Sequence, residues 1–227
     1  MKLWNYFTKI EKTLWISSVV LITASFFGFS ESDVLTLVAS LVGVTALILN
    51  AKGNPIGPGL MMVFSIIYGI ISYECAYYGE MITYVGMSLP MAVVSLVTWL
   101  RNPHNGNKAE AEVNRVSRKE IYFMLFLVLI VTVAFYFILG AFGTAHLIPS
   151  TISVTTSFAA AYLSFRRSPY YAFAYALNDV VLLVLWTLMA FVDVSYVSVI
   201  VCFVVFLVND MYGFFSWKKR EKIQKES

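Results

Sequence analysis

The feature that most restricts this chain is a series of apolar blocks of about 17 to 22 residues, each long enough as a helix, at 1.5 Å of rise per residue, to cross a hydrocarbon layer of about 30 Å. Helices are predicted at 13–30, 33–51, 57–78, 81–100, 120–141, 148–165, 170–191 and 195–217. A soluble fold has no interior for so many such segments. Only 13% of the 227 residues are charged, where a soluble domain carries about 25%. The sequence is therefore read as an all-α membrane protein with eight transmembrane helices. The first block follows Lys2, Lys9 and Lys12 in the manner of a signal peptide, but no small-residue cleavage site follows it, so it is read as a retained helix.

Charge sets the topology. If the N-terminus is cytoplasmic, eight crossings bring all 16 Lys and Arg residues to the cytoplasmic side. The opposite loops then carry Glu31, Asp33, Glu74, Glu80 and Asp193, with no basic residue, as the positive-inside rule requires of short loops. Both termini and the hydrophilic stretch from Arg101 to Lys119 are thus expected in the cytoplasm. The basic balance, a net charge of +3, reports this topology and attraction to membrane lipid, and excludes nucleic acid as a partner. Trp99 and Trp217, beside basic residues at helix ends, are read as anchors in the interfacial aromatic belt.

A shift of 118 residues lays 33–101 over 151–219 without a gap and brings Trp99 onto Trp217. Both three-helix sets then start outside and end inside, and the helix at 120–141 lies between them. Such parallel repeats are a known transporter plan with the solute bound between the repeats. The divisions expected are 1–32 (N-terminal segment and extra helix), 33–101 (first repeat), 102–147 (loop and connector), 148–220 (second repeat) and 221–227 (tail).

Polar side chains inside the spans are expensive and mark either helix-to-helix contacts or a solute site. Asn178 and Asp179 lie about eight residues from the cytoplasmic end of their helix, as do Asn209 and Asp210 of theirs, a depth of about 12 Å for both pairs. Two such pairs at one depth favour a solute. Their amides and carboxylates suit ribose hydroxyls, a carboxamide or a cationic ring. Trp186, Tyr68, Tyr84 and Tyr212 are candidates to stack on a flat ring. Pro90 is expected to kink or loosen its helix. Cys75 and Cys202, His104 and His146 have no ligand spacing, so neither a metal nor another cofactor is expected. No nucleophile beside a base occurs in the spans, which argues for passage of a small polar solute and against an enzyme.

The run from Asn209-Asp210-Met211-Tyr212-Gly213 to Trp217-Lys218-Lys219-Arg220 resembles the closing signature of the nicotinamide riboside transporter family, PnuC. Leu89-Pro90-Met91 with Trp99-Leu100-Arg101, Gly53-Asn54-Pro55-Ile56-Gly57, Tyr68-Gly69, Asn178 and Trp186 are similar to further patterns of that family. The resemblance implies an N-terminal helix followed by SWEET-like three-helix bundles in a three-plus-one-plus-three order. It implies facilitated diffusion of nicotinamide riboside through the bacterial inner membrane, with trapping by a cytoplasmic kinase as the functional partner. A homo-oligomer is left open. Two departures are Ala174, where the family often has Trp, and Val94-Ser95, where it has Tyr-Gly. Relatives of this family carry thiamine, riboflavin or deoxynucleosides, so the identity of the vitamin or nucleoside stays open, as does an accessory role without transport.

Overall fold

A computed structural model describes residues 6–29, 34–74, 78–144 and 146–226. The apolar blocks form α1 (Lys9–Phe29), α2 (Val34–Ala51), α3 (Ile56–Glu74), α6 (Arg118–Ala141), α7 (Leu147–Phe165), α8 (Tyr171–Ala190) and α9 (Val197–Glu226). A further span runs through α4 (Tyr78–Ile82), a π-helical turn (Thr83–Ser88) and α5 (Leu89–Arg101). Seven of these segments are long and apolar enough to cross a membrane. The remaining long helix, α7, has 19 residues but is rich in Ser and Thr. Its hydroxyls lower the hydropathy at little cost, because Thr151 and Thr155 donate to the carbonyls of Leu147 and Thr151 one turn back.

The helix ends follow local chemistry. Thr8 and Glu11 form a reciprocal capping box at the start of α1: the Thr8 amide donates to Glu11 Oε2 (2.7 Å) and the Glu11 amide to Thr8 Oγ1 (3.2 Å). Ser117 accepts from the Glu120 amide and caps α6. Gly53, at φ +68°, makes the break between α2 and α3, and the Asn54 side chain accepts from the Ile56 amide to begin α3. At the far end of the bundle the exposed Asp193 carboxyl is held below its usual range by the Ser195 amide it accepts from. Pro90 loosens its helix in a specific way. Lacking an N–H, it cannot bond the Gly86 carbonyl, and the preceding backbone widens to a π turn in which the Leu89 amide donates to the Tyr84 carbonyl five residues back.

Six spans form a closed ring. In order of contact it runs α2, α3, α5, α7, α8, α9 and back to α2. Outside it, α1 packs on α2 and α9, and α6 packs on α7. Tight approach of α9 to its neighbours depends on Gly213, where an added Cβ would lie 3.3 Å from that of Ala172 and 3.7 Å from that of Ala51. Near the basic end the ring is filled by Trp99, Trp217 and Tyr171, whose rings lie 5.0–6.1 Å apart. This corrects the reading of the two tryptophans as belt anchors, since both are fully buried. Each indole N–H reaches across the ring, from Trp99 to the Ser164 carbonyl (2.9 Å) and from Trp217 to the Asn50 carbonyl (2.7 Å). Those buried acceptors explain why the indoles turn inward instead of toward lipid.

The hydrophilic stretch after α5 is ordered. A hairpin pairs β1 (Pro103–His104) with β2 (Asn107–Ala111) around Asn105-Gly106, both in the left-handed region. It lies across the basic end, where the Ala111 amide donates to the Gly53 carbonyl (2.8 Å), Arg220 pairs with Glu110 (2.5 Å), and the Val113 amide donates to Gln224 Oε1 (2.7 Å). The last two partners sit on α9, which continues nine residues past Trp217. Lys52 and the buried Glu11 form an ion pair (3.1 Å) at the same end.

Candidate functional site

All six ring helices contribute to a central cavity of about 130 Å³. Its apolar wall includes Met61, Phe64, Phe203 and Phe206, and its polar wall includes Asn50, Ser65, Ser95, Ser153, Ser157, Asn178, Asp179 and Asp210. A second chamber of about 60 Å³ adjoins it and is lined by Glu80, Thr144, Ser150 and Trp186. The two share Thr83, Tyr84, Ser153, Val154 and Leu182, so they form one path that runs away from the Trp99–Trp217 plug.

Asn178 is held by α7. Its amide oxygen accepts from Thr156 Oγ1 (2.7 Å) and Ser153 Oγ (3.3 Å), which turns the amide nitrogen to the cavity as a donor. The next residue, Asp179, is 4% exposed, and across the ring Asp210 of α9 is 5% exposed. The two carboxyl groups neighbour one another, and Tyr175 lines the same cavity. Three buried polar atoms on the path have no protein partner: Asn50 Oδ1, Asp179 Oδ2 and Trp186 Nε1. Asn50 Oδ1 packs against Gly57, so with the Asn178 amide the other two offer one acceptor and two donor groups to a polar guest, the pattern a buried polar atom needs to be worth its desolvation.

Of the residues expected from the sequence, Asn178, Asp179, Asp210 and Tyr84 share the central cavity, and Trp186 stands in the second chamber stacked on Tyr196 (5.3 Å). The others lie outside both chambers. Asn209 turns to α1, its amide nitrogen donating to Ser18 Oγ (3.0 Å) and the Val205 carbonyl (2.8 Å). Tyr212 donates to Glu11 Oε1 (3.2 Å) near the basic end. Tyr68 packs behind Tyr84 (5.1 Å) and Phe64 (4.6 Å). Sequence reasoning missed Asn50, Glu80 and the α7 hydroxyls. Among the described residues no group of three or more His, Cys, Asp or Glu side chains is arranged to hold a metal, and Cys75 lies outside the described residues.

Comparison with known proteins agrees with this architecture. Residues 33–219 match the family described as nicotinamide mononucleotide transporter. The chain is 23% identical over 224 residues to the nicotinamide riboside transporter PnuC of Neisseria mucosa, covering 96% of this chain and 83% of that protein. Its fold matches the crystal structure of the vitamin B3 transporter PnuC with a TM-score of 0.80 at 19% identity, over 94% of this chain and 92% of that one. This family and these relatives are transporters and not enzymes.

Proposed function

Because the chain belongs to the nicotinamide mononucleotide transporter family, we propose that it carries nicotinamide riboside across the cell membrane by facilitated diffusion, with phosphorylation by a cytoplasmic kinase trapping the product inside. The observation that carries this reading is the central cavity, where Asn178 and the carboxyl pair Asp179 and Asp210 present polar groups to a compact polar solute, Asp179 Oδ2 among them without a protein partner. The unphosphorylated riboside fits better than the mononucleotide. A phosphate calls for Arg, Lys or a helix N-terminus, and none of the described lining residues is Lys, Arg or His. The Asn178 amide and the Asp179 carboxyl would read the carboxamide and ribose hydroxyls, and Tyr84 and Trp186 would flank the ring. Asn209, Tyr212 and Tyr68 would hold these groups in place from behind.

The proposed topology has eight crossings with both termini and the hairpin in the cytoplasm. The gathering of the described basic side chains at one end supports it. The SWEET-like parallel repeat is supported by the ring itself. Under the 118-residue shift, the contact of α2 with α9 corresponds to that of α7 with α5. Asp179 and Asp210 correspond to Met61 and Ala92, and all four line the cavity. The reciprocal tryptophan bonds add to this pattern.

The test is counterflow by the purified protein in liposomes, with no ion gradient, against nicotinamide riboside, nicotinamide mononucleotide, thiamine, riboflavin and deoxynucleosides. Exchange of the riboside alone is expected. Exchange that needs a proton or sodium gradient would refute the passive mechanism, and exchange of another solute in preference would refute the assignment.

A further inference from the structure

Resting on the riboside reading above, we propose that Asp179 and Asp210 act as one anionic pair that selects solutes whose flat ring carries a positive charge over neutral rings of the same shape. Both carboxyl groups line the one cavity and are at most 5% exposed. Entry of a cation lets the two share a single proton and carry one negative charge against it. That charge has no protein counterion: none of the described residues lining either chamber is Lys, Arg or His. Asp179 Oδ2 is buried, faces the cavity and has no hydrogen-bond partner.

The position of the pair is one-sided. The corresponding residues of the other half, Met61 and Ala92, line the same cavity without charge. A guest is thus offered acidic groups on α8 and α9 and an uncharged wall on α3 and α5. Tyr175 lines the same cavity, and an aromatic ring there also favours a cation. A pyridinium riboside matches this arrangement, one positive charge against one negative, with the ring held flat. Its reduced dihydropyridine form has one hydride more and nearly the same outline, and it is neutral.

Isothermal titration of the full-length protein in detergent with these two ribosides tests the proposal. The wild-type protein is expected to bind the cation at least about tenfold more tightly than the neutral form. Asp179→Asn and Asp210→Asn, which keep the side-chain shape, should bring the two affinities within about threefold. Equal binding of both ribosides by the wild type would overturn the charge selection while leaving the riboside reading intact. Binding of neither would remove the riboside reading itself. The wild-type comparison decides the matter even if a variant fails to fold. An inorganic cation is the other source of positive charge, so the titrations are repeated with sodium replaced by N-methylglucamine. An unchanged preference is expected, and a preference present only in sodium would assign the pair to the metal ion and refute the proposal.

Discussion

Replacing Asn178 by Ala separates recognition from packing. The wild-type amide oxygen accepts from Thr156 and Ser153, and the amide nitrogen is left to the cavity. Truncation deletes both, but the carbonyls of Ile152 (2.9 Å) and Ser153 (3.0 Å) are within reach of the one Thr156 hydroxyl proton as alternative acceptors, so it does not become an orphan. The stability loss should accordingly be near the net value of one hydrogen bond, about 1 kcal/mol, or a fall of about 2–4 °C in melting temperature. Affinity should suffer more, because the guest keeps a polar atom that has lost its partner in a site closed to bulk water. That loss is about 1–3 kcal/mol, roughly 5- to 150-fold in Kd. Thr156→Val removes the shorter of the two bonds that orient the amide and should give an intermediate loss. The assays are isothermal titration with nicotinamide riboside and thermal unfolding of the same detergent-solubilised samples. An Asn178→Ala protein that binds within about twofold of wild type would mean that Asn178 only joins α8 to α7, and the reasoning would fail.

Asn209→Ala should act in the opposite sense, lowering the melting temperature through about 1–3 kcal/mol of lost hydrogen bonding to Ser18 and Val205 while leaving affinity nearly unchanged; a large loss of affinity at unchanged melting would refute its placement against α1. Trp186→Ala should weaken binding of ring-bearing solutes more than of free ribose, and equal effects on both in competition titrations would count against a stacking role. Trp217→Phe should destabilise the bundle by about 1 kcal/mol, the net value of the bond from its indole N–H to the Asn50 carbonyl, which keeps the Gly53 amide as a donor, and an unaltered melting curve would contradict this. Single cysteines at Thr144 and Asp193 should react with an impermeant thiol reagent on intact cells and one at Asn105 should not; the reverse pattern would invert the proposed topology.

How much of this was legible depends on what each residue's surroundings decide. The helices were readable because a span must satisfy its own backbone along its whole length, and most bounds lie within a few residues of the apolar blocks. The end of α9 was not, since Lys218 to Glu226 continue the helix with charged residues that bond the hairpin and carry no hydropathy signal. The hairpin itself was announced by Asn105-Gly106, a turn signal that hydropathy alone passes over. Asn178, Asp179 and Asp210 stood out as polar groups in apolar runs. Asn209 stood out equally and faces elsewhere, because successive residues are about 100° apart on a helix and depth says nothing of azimuth. The Asn178 and Asp179 directions both open on the cavity, whereas those of Asn209 and Asp210 straddle the contact with α1. The α7 hydroxyls were silent because Ser and Thr that bond their own backbone look the same in sequence as those that line a passage.

The π turn at Thr83–Ser88 has a consequence for how this chain is compared with its kin. A turn of this kind absorbs one additional residue without breaking the helix, so the stretch before it and the stretch after it obey two different angular frames. Glu80 below the turn and Ser95 above it both reach the passage. A descendant that lost one residue between Thr83 and Ser88 would keep a continuous helix with Tyr78–Ile82 and Leu89–Arg101 on their present faces, while residues counted along its sequence would shift by about 100° on the helical wheel. Alignments that slide a gap freely through this region would therefore pair residues from different faces, and inheritance of a lining residue there has to be judged frame by frame.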